Sequence, residues 1–196
     1  MRQYEINIYS DSNIKDITVF KFNNVTNTQE IMDILLKGEL EWSIVNARIV
    51  YDDRHLLTAA TQAIHQLCSK GKLSTNNIHT ELIYRMSPTT NIRDSIKTFG
   101  LNIEDNVFYI VLFGATEERI DRVRTLVKGD ELKEEESDEA LKKQYYPNKY
   151  FDSQIARKLY RLPAAAAAAV TNNTSNDNLQ LLYKDILNSM AIKGHL

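Results

Sequence analysis

The chain has 196 residues, 43% of them hydrophobic, which fits one ordinary domain with a sizeable core. Its 24 basic residues against 26 acidic ones leave a formal net charge of -2, so no global field draws it to nucleic acid or a membrane, and any such contact is a local patch. A lone cysteine, Cys68, excludes an internal disulfide; residues 1–5 lack the apolar core of a signal peptide, and no apolar run reaches the roughly 20 residues of a membrane span, so a reducing cytosolic or nuclear compartment is expected and the Asn24-Val25-Thr26 sequon is idle.

In chain order, Tyr4, Ile6 and Ile8 alternate with Glu5, Asn7 and Tyr9, and Thr18, Phe20 and Phe22 alternate with Ile17, Val19 and Lys21. This predicts two strands of a sheet with at least one solvated face. A helix follows over 27–37, with Asn27 and Glu30 at capping-box spacing, Ile31, Ile34 and Leu35 as its stripe and Gly38 as its stop. A strand over 44–51 leads to a long helix capped by Asp52 or Asp53. Its Leu56, Leu57, Ala59, Ala60, Ala63, Ile64 and Leu67 form a band wide enough to pack on two sides, leaving His55, Thr58, Gln62 and His65 on the polar face.

Residues 78–86 read as a strand, with Ile78, Thr80, Leu82, Tyr84 and Met86 on one face and His79, Glu81, Ile83 and Arg85 on the other. Asn91 then caps a helix, Asp94 favours its positive end, Ile92, Ile96 and Phe99 line one side, and Gly100 is placed for an αL stop. Seven consecutive apolar residues over 107–113 predict the most buried strand, and Thr116 caps a helix to 128 with Ile120, Val123 and Val127 inward. The fold class is α/β: a single domain over 1–196, with a mixed, mostly antiparallel sheet and packed helices.

An acidic insertion occupies about 129–150. Its 130–139 stretch holds seven carboxylates against Lys133, which reads as a solvated loop or loose helix rather than a binding site. A short basic helix over 152–162 turns Ile155 and Leu159 inward and Arg157, Lys158 and Arg161 outward. A low-complexity connector, about 163–177, carries Pro163 and six alanines. In the final helix Leu179, Leu182, Tyr183, Ile186 and Met190 mark one face, and Leu187, Ala191 and Ile192 widen the apolar surface. Two readings stay open: both surfaces are core, or the second meets a partner.

The sequence has no G-x-S-x-G elbow, no phosphate-binding or dinucleotide glycine motif, no paired cysteines and no H-E-x-x-H. His55 and His65 lie about 15 Å apart along one helix, too far to share a metal. Cys68 reads as a small core residue. Glu81 with His79 is a conceivable catalytic pair, but a strand face offers them no third group, so a structural ion pair is the preferred role for Glu81. Ser87-Pro88 matches a phosphorylation site, although the capped turn accounts for both residues. No catalytic residue, metal ligand or cofactor is assigned.

Several runs resemble the kinase-binding subunit of the KEOPS (EKC) complex, the PRPK-binding protein family. Asn46-Ala47-Arg48-Ile49-Val50 resembles the family's strand before its first long helix. Leu57, Ala59, Ala60 and Ala63 match that helix's core, and Gly71-Lys72 match its exit. Glu81 falls where the family's next strand carries a glutamate. The most specific run is Ser87-Pro88-x-x-Asn91-Ile92 with Phe99-Gly100, and the Ile192-Lys193-Gly194 ending is similar to family C-terminal ends. The likeness spans roughly 20–127 and resumes in 155–162 and the final helix.

The resemblance implies a non-catalytic subunit of the nucleus and cytoplasm that binds and regulates the complex's small atypical kinase and meets the other KEOPS subunits indirectly. Its helical surface would bind the kinase through Ile186, Leu187, Met190, Ala191 and Ile192. The assembly would add threonylcarbamoyl to the adenosine beside the anticodon of certain tRNAs, with the active site on a different, metal-containing subunit, and would have ties to telomere maintenance and transcription. The alternative reading is direct binding of the tRNA acceptor end, which the resemblance also suggests; Lys70, Lys72, Arg85, Arg93 and Lys97, clustered in the sequence around the Ser87-Pro88 run, would supply its phosphate contacts. A small enzyme built on Glu81 and His79 lacks any motif.

Overall fold

The computed structural model describes residues 1–6, 14–132, 147–162 and 176–193. The chain runs β1 (Arg2–Glu5), β2 (Asp16–Asn23), α1 (Thr28–Leu36), β3 (Ser43–Asn46), α2 (Asp53–Lys70), α3 (Ile78–Met86), α4 (Ile92–Phe99), β4 (Phe108–Phe113), α5 (Glu117–Leu126), β5 (Asp130–Glu131), α6 (Ser153–Leu159) and α7 (Asn176–Ala191). The sheet order is β1-β2-β4-β3, every pairing is antiparallel, and β5 joins β2 on the edge it shares with β1.

All six residues of β4 are buried, as its aromatic and branched run predicts. Opposed pairs such as Val19 with Val111 and Phe20 with Ile110 set the register, and the period of two sends successive residues to opposite faces. On one face Phe20, Phe22, Ile44, Phe108, Ile110 and Leu112 pack with Ile31 of α1 and with Ile120 and Val123 of α5. On the other, Ile17, Val19, Val45, Tyr109 and Val111 pack with α2, α3, α6 and α7. The expected solvated face is therefore absent from β2: helices cover both sides. Ile8 lies outside the described residues, as do 133–146 and 163–175, which hold most of the acidic insertion and the connector.

Local signals set most boundaries. Asp52 caps α2 by accepting from the His55 amide at 3.0 Å, and Gly71, at φ 64, takes the left-handed stop. Thr116 caps α5 and Asn91 caps α4. Asn27 does not cap α1: its Nδ2 donates to Glu30 and to the Leu126 carbonyl at 2.8 Å, while its Oδ1 accepts from the Lys128 amide, so it ties α1 to the end of α5. Gly100 is extended, at φ -75 and ψ -172, not αL. Glycine is needed there for space, since a Cβ would stand 2.5 Å from the Ile96 carbonyl oxygen.

The largest departure is 78–86, which is the helix α3 rather than a strand. Asn77 and Thr80 make a reciprocal capping box at its start. Leu82, Ile83, Tyr84 and Met86 are all buried, so α3 is apolar around much of its girth and its 3.6 period is blurred. The strand expected over 44–51 ends at Asn46, whose Oδ1 accepts from the Arg48 amide in a turn. Asp130 and Glu131 are not solvated loop: as β5 they pair with Asn23 and Phe22, and Glu131 binds the Met1 amine at 2.9 Å and Arg124 at 3.2 Å.

Candidate functional site

Helices α2 and α3 pack together beside two buried polar nodes, the second of which also takes in the end of α6. The first is Glu81, fully buried on α3. Its Oε2 accepts from the amides of Ser74 and Thr75, each at 2.9 Å, and from the Thr75 hydroxyl at 3.0 Å. Its Oε1 receives Arg85 Nε at 2.8 Å and Nη2 at 2.7 Å. The i,i+4 spacing on a helix brings the pair together, and the loop amides supply the donors a buried carboxylate requires. This is the structural ion pair expected for Glu81, now on a helix. His79 is not its partner: the ring lies against Phe113 and 3.5 Å from Ser43 Oγ, and burial followed by the nearby Arg119 pushes its pKa down to about 4.

The second node is His55, expected on the polar face of α2 and found fully buried. The Tyr51 amide donates to its Nδ1 at 3.2 Å, which leaves the proton on Nε2, 3.0 Å from the Tyr160 hydroxyl. That hydroxyl donates to the Met86 carbonyl at 2.7 Å. The chain of bonds links α2, the end of α6 and the end of α3 and fills a helix-end acceptor. Burial pushes the His55 pKa down to about 3. Cys68, expected in the core, is exposed near the end of α2. Ser87 is buried and its Oγ accepts from the Thr89 amide, which fits the capped turn rather than a phosphorylation site.

Helix α7 lies along the same layer. Leu182, Tyr183, Ile186 and Met190 are buried, and Tyr183 stacks on Tyr51 at 4.7 Å. Of the five residues expected at a kinase surface, Ile186 and Met190 are thus inside and anchor the helix, and Leu187 is half-buried against the core. Ala191 and Ile192 are exposed. Leu181, 57% exposed, was not among those five, yet it stands eleven residues before Ile192, 49% exposed, and at 100° per residue the two share one outward stripe. The signal was present as an apolar residue opposite the core stripe. Just past α7, Lys193 donates to the Tyr84 carbonyl and lies over the Tyr84 ring, and burial together with Arg85 lowers its pKa to about 7.

Lys70 and Lys72 flank Gly71 at the exposed end of α2, and Arg93 and Lys97 are exposed one turn apart on α4. None of these four makes an ion pair among the described residues. Arg85 differs, because its guanidinium is held by Glu81 and by Ser74 Oγ at 3.3 Å. Among the described residues no three His, Cys, Asp or Glu side chains could hold a metal ion together, and no helix is long and apolar enough to cross a membrane.

Comparison with known proteins adds a family. The model of the family described as "Kinase binding protein CGI-121" matches residues 22–194. Among curated relatives, the "EKC/KEOPS complex subunit TPRKB" of Danio rerio is 32% identical over 118 residues, 59% of this chain and 67% of the relative. The "EKC/KEOPS complex subunit CGI121" of Eremothecium gossypii is 35% identical over 128 residues, 62% of this chain and 68% of its own. The Candida glabrata subunit of that name is 25% identical over 182 residues, 91% of this chain and 93% of its own.

Proposed function

Since this chain belongs to the CGI-121 family of kinase binding proteins, we propose that it is a non-catalytic EKC/KEOPS subunit that docks the complex's small atypical kinase on the outward face of α7. The observation that carries the surface is the pair Leu181 and Ile192, exposed on one stripe of a helix whose opposite stripe is fixed in the core. Apolar side chains held out by a rigid helix suit a partner groove, because little ordering entropy is lost on binding. The same proposal includes support for threonylcarbamoyl-adenosine modification of tRNA, a link to telomere maintenance, and residence in nucleus and cytoplasm.

The test is association of the recombinant pair. Binding at micromolar concentration is expected, with Ile192→Arg or Leu181→Arg weakening it at least tenfold, about 1.4 kcal/mol, while the unfolding midpoint stays put. Leu187→Arg is expected to lower stability as well, because Leu187 packs partly on the core. No association of the unmodified pair removes the kinase reading. Full binding by both exposed variants moves the surface elsewhere.

A second reading, direct tRNA binding, is supported by the four cations that make no ion pair among the described residues, Lys70, Lys72, Arg93 and Lys97. Replacing Lys70 and Lys72 by Glu should weaken tRNA binding more at low salt than at high, since released counterions scale with phosphate contacts. An unchanged affinity and salt slope would leave these lysines as charges that favour the carbonyl end of α2.

A further inference from the structure

Ile192, one of the two apolar residues that carry the docking face, stands just past the end of α7 and outside the core cluster that anchors the helix. Its amide donates to the Asn188 carbonyl at 3.0 Å in the final turn. Such a turn frays, because the last carbonyls of a helix have no partner further along it. What fixes Ile192 therefore lies on either side of it. On one side is Met190, buried in the core. On the other is Lys193.

Lys193 leaves α7 and reaches α3. Its Nζ donates to the Tyr84 carbonyl and stands 3.2 Å from the centroid of the Tyr84 ring. That carbonyl lies in the last turn of α3, where the residue four positions on is Pro88, which has no amide hydrogen to give it. The Ser87 amide supplies one bond at 3.2 Å, and the second lone pair is left for Lys193. The anchor is rigid. Helix α3 opens on the capping box of Asn77 and Thr80, its Glu81 holds Arg85 and the Ser74 and Thr75 amides, and Tyr84 is itself buried. An amine donates to a carbonyl whether or not it carries its extra proton, so the tie persists across the lowered pKa of Lys193.

We propose that Lys193 is a positioning residue for the docking face: by tying the chain just past α7 to the Tyr84 carbonyl, it holds Ile192 in the orientation that the partner meets. This role presupposes the kinase surface proposed above and supplies what keeps its outer end in place. Without the tie Ile192 moves freely at a helix end, and binding has to order it. The cost then falls on affinity and not on the fold.

The experiment compares the full chain with Lys193→Met, Lys193→Arg and Ile192→Ala, alone and combined, by amide hydrogen exchange and by titration with the recombinant kinase. Lys193→Met keeps an apolar stem and loses the donor. In the free protein it should speed exchange of the 190–192 amides at least about fivefold while the urea midpoint stays put, and Lys193→Arg, which keeps a donor, should restore slow exchange. Kinase affinity should fall at least about fivefold with Lys193→Met and recover with Lys193→Arg. Coupling separates positioning from direct contact. In the Ile192→Ala background Lys193→Met should cost little more, since the side chain it positions is gone. Additive losses of affinity, or exchange that Lys193→Met leaves unchanged, overturn the proposal. No binding by the unmodified chain removes the kinase surface instead, and the exchange measurement still decides whether Lys193 holds the end of α7.

Discussion

The two faces of the sheet bury the same strands with different chemistry. Under α1 and α5 the filling is Phe20, Phe22, Trp42, Ile44, Phe108, Ile110 and Leu112. Under α2, α3, α6 and α7 it is also apolar, but the His55 ring and the Glu81 carboxylate are embedded in it, each with its hydrogen-bonding capacity met. The first face depends on area and volume, which many side chains supply. The second depends on partners at fixed places, some of them far away in sequence, such as Tyr160 for His55. Position on that face is set by where donors and acceptors can be satisfied.

The comparison breaks most visibly at Glu81 and Phe108. Both Glu81→Ala and Phe108→Ala should cost about 3–5 kcal/mol in urea unfolding, the first by leaving Arg85 and the Ser74 and Thr75 amides without an acceptor, the second by opening a cavity. Their rescue separates them. Replacing Glu81 and Arg85 together by Leu should recover part of the loss, because the orphaned charge goes with its partner. A cost below 1 kcal/mol for Glu81→Ala would show that water reaches the site and that the node does not order the α2–α3 connection.

This asymmetry explains what could be read in advance. The strand 108–113, the caps at Asp52, Asn91 and Thr116, and the inward residues of α5 and α7 follow from periodicity and local hydrogen bonding, which a short window contains. Residues 78–86 misled because burial on several sides leaves alternation and helical period hard to separate. The signals that decide it, Asn77 before Thr80 and Glu81 four residues before Arg85, were present and are helix signals. His55 could not be placed, since the group that receives it lies 105 residues away. In the candidate surface the core stripe of α7 was legible, whereas the exposure of Leu181 and Ile192 depends on where α7 sits on the sheet.

Acid should act through the second face. The pKa of His55, about 3 by burial, and that of His79, about 4 by burial and Arg119, both lie below the 6.5 of an unfolded histidine. Between those values the unfolded chain binds protons that the native one does not, so stability is complete above pH 6.5 and falls as pH drops toward 4 and then 3. By pH 5 the loss is about 2 kcal/mol per histidine. Chemical unfolding at pH 7, 6 and 5 measures it. His55→Gln should flatten roughly half of the slope, and an unaltered slope would mean that carboxylates carry the acid sensitivity instead.

Tyr160→Phe should cost about 1–3 kcal/mol, the penalty for leaving the His55 Nε2–H and the Met86 carbonyl unmatched without removing the ring. The ring contact with Phe99, edge-on at 5.7 Å, remains in this variant. If the loss came from packing alone, Tyr160→Phe would be nearly silent. Tyr160→Leu would then be the damaging change.

The smallest effects are expected at the acidic stretch, where the notion of a solvated loop has to be divided. Glu131 is structural: it joins the Met1 amine and Arg124 beside the edge of β2, so Glu131→Gln should cost up to about 1 kcal/mol, less at high salt, because the partners are partly exposed. Deleting 133–139 leaves that edge alone. The chain departs and returns at Lys21, through the Leu132 amide and Asn148, so shortening the excursion changes a closure entropy that varies only slowly with length. Unfolding should shift by less than about 0.5 kcal/mol and kinase affinity should not change. A tenfold fall in affinity, about 1.4 kcal/mol, with the fold intact would assign those carboxylates to the partner and add a second contact to the face of α7.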